Sequence, residues 1–159
     1  MKQAWKKNFL EWELGLSIAI SVGFAIWVEG LHGLHDVDVI LNGQRAAVYG
    51  TTASIAGALL GFIIATVAII LGFSAGDSFT VLRESAYYKD LWRTLKSTIK
   101  MLALATLAAV VALLVDRDAA PNAPAMLVCF GFAVLSIIRL ARSIWILNKV
   151  MFIVTGVSQ

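Results

Sequence analysis

The sequence predicts an all-α, polytopic integral membrane protein with four transmembrane helices and both termini cytoplasmic. Three observations carry that expectation. Hydrophobic residues make up 60% of the 159-residue chain and charged residues 14%, against about 25% charged in ordinary soluble domains. A soluble fold of this length has no interior large enough to hide so much apolar surface. Residues 51–73, TTASIAGALLGFIIATVAIILGF, contain no charge, and a helix of that length rising about 1.5 Å per residue crosses a hydrocarbon core of about 30 Å. Third, the basic residues alternate between segments. Lys2, Lys6 and Lys7 precede the first apolar run; Arg83, Lys89, Arg93, Lys96 and Lys100 lie between the second and third; Arg139, Arg142 and Lys149 lie late in the fourth. The other two connecting segments hold only Arg45 and Arg117. By the positive-inside rule this threads both termini to the cytoplasmic face of a plasma (inner) membrane.

The chain reads as a single membrane domain over 1–159. Residues 1–13 put Trp5, Phe9 and Trp12 at helical spacing, with Lys2, Lys6 and Lys7 on another side. That predicts an interfacial helix, aromatics toward lipid and lysines toward anionic lipid phosphate. Glu11 and Glu13 interrupt the approach to the apolar run and no A-x-A-like site ends it, so the segment reads as an uncleaved signal anchor. The first span is expected at about 14–31. Gly15, Ala19 and Gly23 recur along it at every fourth position, with Ser17 and Ser21 as a polar line beside them. Residues 32–50 are rich in His, Asp, Asn and Gly, which form loops and turns, so a loop is expected there.

The second span, 51–73, is expected to be the helix around which the others are arranged. Ala53, Gly57, Gly61 and Ala65 form a small-residue ridge that includes a GxxxG. In lipid no hydrophobic force joins helices, and small residues let backbones approach closely enough for dispersion to act. The ridge therefore predicts a packing face, in the first place against another helix of the same chain, and otherwise between copies in an oligomer.

Residues 74–77, SAGD, read as a break, with Asp77 or Ser78 capping an amphipathic cytoplasmic helix over about 78–98. Tyr88, Leu91, Trp92, Leu95 and Ile99 share one face of it, and Arg93, Lys96 and Lys100 another. Neither Gly nor Pro separates this helix from the third span, about 99–115, which is rich in alanine. Residues 116–124 contain both prolines of the chain and are expected to form a turn. The fourth span, about 125–147, has to carry Arg139 and Arg142, because its charge-free part ends at Ile138. Residues 148–159 are expected as an interfacial tail.

Four groups of residues are candidates for chemistry. Glu29, His32, His35, Asp36 and Asp38 are the densest set of metal-ligating side chains, of a type that suits Zn, Mn or Fe(II). Their spacing follows no established metal motif, so a solvated polar mouth competes with that reading, and no cofactor is required by the sequence. Arg139 and Arg142 need a solution for charge near lipid. Snorkelling to lipid phosphate is preferred, and pairs with Glu13 and Glu11 are the alternative. Ser17, Ser21, Thr66 and Thr106 are the candidate lining of any pore. Arg93, Lys96 and Lys100 form a basic face for an anionic leaflet or a protein partner.

Absences narrow the function. The single cysteine, Cys129, excludes an intrachain disulfide and paired-thiol redox chemistry. No histidine lies mid-span for haem, no Gly-rich phosphate loop or Ser-His-Asp set occurs, and no carboxylate lies at mid-membrane as proton-coupled exporters require. Nothing points to nucleic acid. The expected function is a non-enzymatic homo-oligomeric channel or pore-like assembly, or a membrane effector or sensor, with a basic cytoplasmic collar. An accessory or scaffold subunit of a larger membrane complex is the alternative, and a metal- or cation-linked carrier the third.

Overall fold

The computed structural model describes residues 9–30, 33–73 and 86–155. The helices among them are α1 (Phe9–Gly30), α2 (Gly33–Leu41), α3 (Arg45–Phe73), α4 (Ala86–Val115) and α5 (Ala123–Thr155). What decides their arrangement is a stripe on α4. Leu91, Leu95, Thr98, Leu102, Ala105, Ala109, Ala112 and then Asp116 follow at alternate steps of four and three, and each is at most 2% exposed. A period of 3.5 keeps one seam facing its partners along the whole helix. The seam narrows from leucine to alanine, so neighbouring backbones can approach most closely toward Asp116.

The antiparallel α5 answers with Cys129, Ser136, Arg139, Ser143 and Ile146, all buried. Hydroxyls tie the two helices together. Ser136 Oγ donates to the Met101 carbonyl at 3.1 Å, and the hydroxyls of Thr98 and Ser143 lie 2.7 Å apart. α3 packs on α4 through Ala56 and Ile63, supported by partly buried Leu59, Leu60, Val67 and Ile70. α1 packs on α5, where the Phe24 and Phe130 rings stack with centroids 4.3 Å apart. Packing therefore runs in the order α1–α5–α4–α3, with α2 leaning on α1 and no comparable contact between α1 and α3.

Three segments, Arg45–Gly72, Lys89–Val115 and Ala123–Lys149, are long and apolar enough to cross a membrane, and the apolar stretch Trp12–Val28 of α1 is shorter. Their most apolar windows are only 11%, 28% and 28% buried. Phe62, Leu107, Leu114 and Ile137 each present 60% or more of their surface outward. Contiguous apolar surface on that scale belongs against lipid. The chain is a multi-pass helical membrane protein.

Several expectations are corrected. The loop expected over 32–50 is largely helical in its described part, 33–50: α2 occupies Gly33–Leu41 and α3 already begins at Arg45. Only residues 42–44 turn, through Gly43 at φ 74°, a left-handed conformation that glycine adopts without a Cβ penalty. Packing on α1 and a link from Asp38 to Arg45 outweigh the weak helix propensity of this stretch. α3 is not the organising helix; it sits at one edge, and α4 is central. Of the ridge, Ala53 packs within the chain against the Tyr49, Ala109, Ala112 and Cys129 cluster, but its glycines make no such contact. A Cβ built on Gly57 or Gly61, or on Gly15 or Gly23 of α1, meets nothing within 4 Å. α3 uses the Ala56–Ile63 side instead, where larger apolar groups fill the seam.

The turn at 116–122 is present, and Asn122 Oδ1 caps α5 by accepting the Ala125 N–H at 3.1 Å. α4 runs unbroken from Ala86 and α5 continues to Thr155. Trp5, Lys2, Lys6, Lys7, the expected cap at Asp77 or Ser78 and the first part of the amphipathic helix lie outside the described residues.

The close approach of α1 to α5 is at Gly131, where an added Cβ would lie 3.1 Å from Ser21 Oγ. Gly131→Leu should prise α1 from α5 and destabilise the protein by about 1–3 kcal/mol, read as a lower unfolding temperature in detergent.

Candidate functional site

Two buried polar clusters mark the opposite ends of the helix bundle. The first begins with Arg45 and Tyr49, one turn apart on α3 and both 3% exposed. Arg45 Nη1 donates to both Asp116 oxygens at 2.8 Å, and Nη2 donates to the Asp38 carboxylate on α2. The Tyr49 hydroxyl also donates to Asp116, and the Asn122 backbone N–H reaches Asp116 Oδ1 at 2.6 Å. Asp118 stands 3.8 Å from Arg45 Nε. A carboxylate sealed from solvent needs this many donors, because burying it without them costs several kcal/mol. The result is a clamp joining α2, the start of α3 and the α4–α5 turn.

The second cluster joins α1, α4 and α5. Glu13 is 8% exposed. Arg142 Nε donates to its Oε1, Arg139 Nε lies 3.7 Å from its Oε2, and Arg139 Nη1 donates to Ser97 Oγ on α4. Glu13 Oε2 is buried and accepts no hydrogen bond, and the hydroxyl of the nearby-turn residue Thr94 is likewise buried without one. Two guanidiniums thus converge on one carboxylate.

This corrects the expectation for Arg139. With its side chain only 5% exposed, it turns inward to Glu13 and Ser97 and does not snorkel. Arg142 takes Glu13 also; the Glu11 side chain lies outside the described residues. Asp38, expected among metal ligands, has one carboxylate oxygen engaged by Arg45. The side chains of Glu29, His32, His35 and Asp36 lie outside the described residues. Among the described residues no group of three His, Cys, Asp or Glu is placed to hold a metal.

The candidate pore hydroxyls do not share one lining within the chain. Ser17 Oγ donates to the Gly131 carbonyl at 3.4 Å and Ser21 Oγ to the Ser17 carbonyl at 2.8 Å, both at the α1–α5 contact. Thr66 and Thr106 return to carbonyls of their own helices, Phe62 and Leu102, each at 2.9 Å. Arg93, Lys96 and Lys100 are all exposed. Arg45, Tyr49, Asp116 and Asp118 were not singled out from the sequence. Their signal was present: Arg45 and Tyr49 share a helix face, and Asp116 falls on the stripe that starts at Leu91. Comparison of the chain with protein-family models, curated proteins and solved structures returns no match, so no relative supplies a function.

Arg45→Ala should cost about 3–5 kcal/mol by stranding Asp116, measured as a drop in resistance to unfolding in mixed detergent and sodium dodecyl sulfate. Arg45→Met combined with Asp116→Leu removes both charges and should recover much of that loss.

Proposed function

We propose that the chain is a non-enzymatic four-span protein of the plasma (inner) membrane, with both termini cytoplasmic, that works as a homo-oligomeric channel or pore-like effector or sensor. The observation that carries this reading is a pair of small-residue faces whose glycines have open space where a Cβ would stand. Gly57 and Gly61, with exposed Ala65, lie on α3; Gly15 and Gly23, with exposed Ala19, lie on α1. α1 and α3 are the two ends of the helix series. A protomer with different small-residue faces at its two edges suits head-to-tail association, and such contacts close into a ring when the rotation permits.

The threading is supported by where charge collects. Because α4 and α5 are antiparallel, Arg93, Lys96 and Lys100 share an end of the bundle with Arg139, Arg142 and Lys149, while Arg45 and Arg117 share the other. That asymmetry supports a cytoplasmic setting for the first end. Lys149 lies 4.4 Å over the exposed Trp145 ring, an aromatic-cation pair suited to the lipid headgroup level. The α1 stretch Trp12–Val28 rises about 25 Å as a helix, and local thinning of the bilayer accommodates the remainder. Exposed Arg93, Lys96 and Lys100 supply the basic collar toward anionic lipid or a cytoplasmic partner.

Ser17 and Ser21 are engaged inside the protomer, which leaves little polar surface for a pore. That favours a second reading, an accessory or scaffold subunit whose ridges dock another membrane protein.

Native mass spectrometry of the detergent-purified protein separates these readings. A symmetric oligomer is expected, and Gly61→Leu should weaken it by about tenfold or more, the loss of roughly 1.4 kcal/mol of association free energy. A wild-type monomer would favour the accessory subunit, and an oligomer indifferent to Gly61→Leu would remove the α3 ridge from the interface. A fluorescent reporter fused after Gln159 should fold and fluoresce in the cytoplasm.

A further inference from the structure

We infer that the cavity bounded by α1, α2, α3 and α5 binds one neutral, compact aromatic molecule, about two fused rings in size, taken up sideways from the bilayer. The inference is independent of the oligomer, since a single protomer supplies the whole lining.

The cavity has a volume of about 300 Å³. Packed interiors keep few voids larger than a water molecule, so a space of this size is more than a packing defect. Four helices contribute to it, with Phe24 from α1, Val37 and Ile40 from α2, Tyr49 from α3 and Phe130 from α5. Ile40 and Val48 line it and are 70% and 41% exposed, which puts its mouth against lipid. Tyr49, Met126 and Cys129, also in the lining, are buried. The way in is therefore from hydrocarbon.

The lining decides the charge of the occupant. Among the described residues no charged side chain lines the cavity. Its two hydroxyls are spent within the chain: Tyr49 donates to Asp116, and Thr52 donates to the Val48 carbonyl at 2.8 Å. An ion or a strongly hydrogen-bonding ligand would lose its water here without replacement. The occupant is accordingly neutral and apolar.

Size and lining chemistry decide its shape. An apolar cavity of roughly 150 Å³ holds one benzene ring, so twice that volume is matched to two. Along α5 the lining runs from Met126 to Ala133, a rise of about 10 Å. One leaflet is about 15 Å deep, so an extended acyl chain running from the headgroup level overshoots the cavity. Phe24 and Phe130, stacked with centroids 4.3 Å apart, form one wall. Tyr49, Met126 and Cys129 add a further ring and two sulfurs. Rings and polarisable sulfur favour another aromatic over an alkyl chain.

The test is photolabelling in liposomes with a trifluoromethyl iodophenyl diazirine, a neutral aromatic probe that partitions into bilayers, with adducts mapped by mass spectrometry. Labelling of the segments that carry Tyr49, Met126 and Cys129 should saturate with probe. It should fall by about fivefold or more under excess naphthalene, the scale of one lost aromatic contact. Labelling at Phe62, 67% exposed on α3, should rise in proportion to probe and ignore naphthalene. Ala133→Trp, which fills the cavity, should abolish the saturable fraction, whereas Ile137→Trp, on an exposed part of α5 outside the lining, should retain it. Methyl palmitate, an uncharged acyl chain, should compete far less than naphthalene at matched membrane concentration. Cavity labelling that never saturates, undiminished saturable labelling in Ala133→Trp, or equal competition by methyl palmitate would overturn the proposal, the last in favour of a lipid chain. Should Ala133→Trp not fold, saturation and competition in the wild-type protein decide it.

Discussion

The architecture depends on the buried stripe of α4. Water supplies no drive to bring apolar helices together inside a bilayer, so association rests on packing and on polar groups that lipid cannot satisfy. The run from Leu91 to Ala112 meets the first need: it is continuous and tapered, and lies between α3 on one side and α5 on the other. Asp116 meets the second. It extends the same stripe, so it is carried inward by the helix that buries it. A carboxylate there must collect donors, and it collects them from α3 and from the turn that opens α5. The starting point of α3 and the path of the α4–α5 connection both follow from that requirement.

The two ionic clusters solve different problems. At Asp116 the donors outnumber the carboxylate and each of its oxygens is occupied, which is the condition for a rigid structural tie. At Glu13 two guanidiniums converge on a single carboxylate, one of whose oxygens accepts no hydrogen bond.

Much of this was legible in the chain. Hydropathy and the missing charges of 51–73 place apolar helices, both prolines mark the turn at 116–124, and the lack of Gly or Pro between 78 and 115 announces a helix that does not break where described. The buried face of α4 was readable too, from the 3.5-residue period of Leu91, Leu95, Thr98 and Leu102. The glycine ridges are the more conspicuous pattern, because small residues at every fourth position look like a contact whether or not a partner exists. The Arg45–Asp116 pair was hidden by sequence distance: each residue alone resembles an ordinary charge at a span end. Helix α2 was hidden by composition, since His, Asp and Gly predict a turn until contact with α1 and Arg45 is counted. For Arg139 the choice between lipid and Glu13 depended on how deeply α1 sits beside α5, which local pattern does not encode.

The separation of Arg45 from Asp116 by 71 positions has a consequence for biogenesis. The ribosome delivers Arg45 and Tyr49 while the carboxylate that will receive them is still unmade. Until α4 has been threaded and its far end has arrived, the guanidinium stays hydrated at the bilayer surface, and α3 is inserted without being locked. The ionic tie is therefore a late event, and a nascent chain halted before Asp116 could pack α3 on α4 through their apolar faces but could not clamp their ends together.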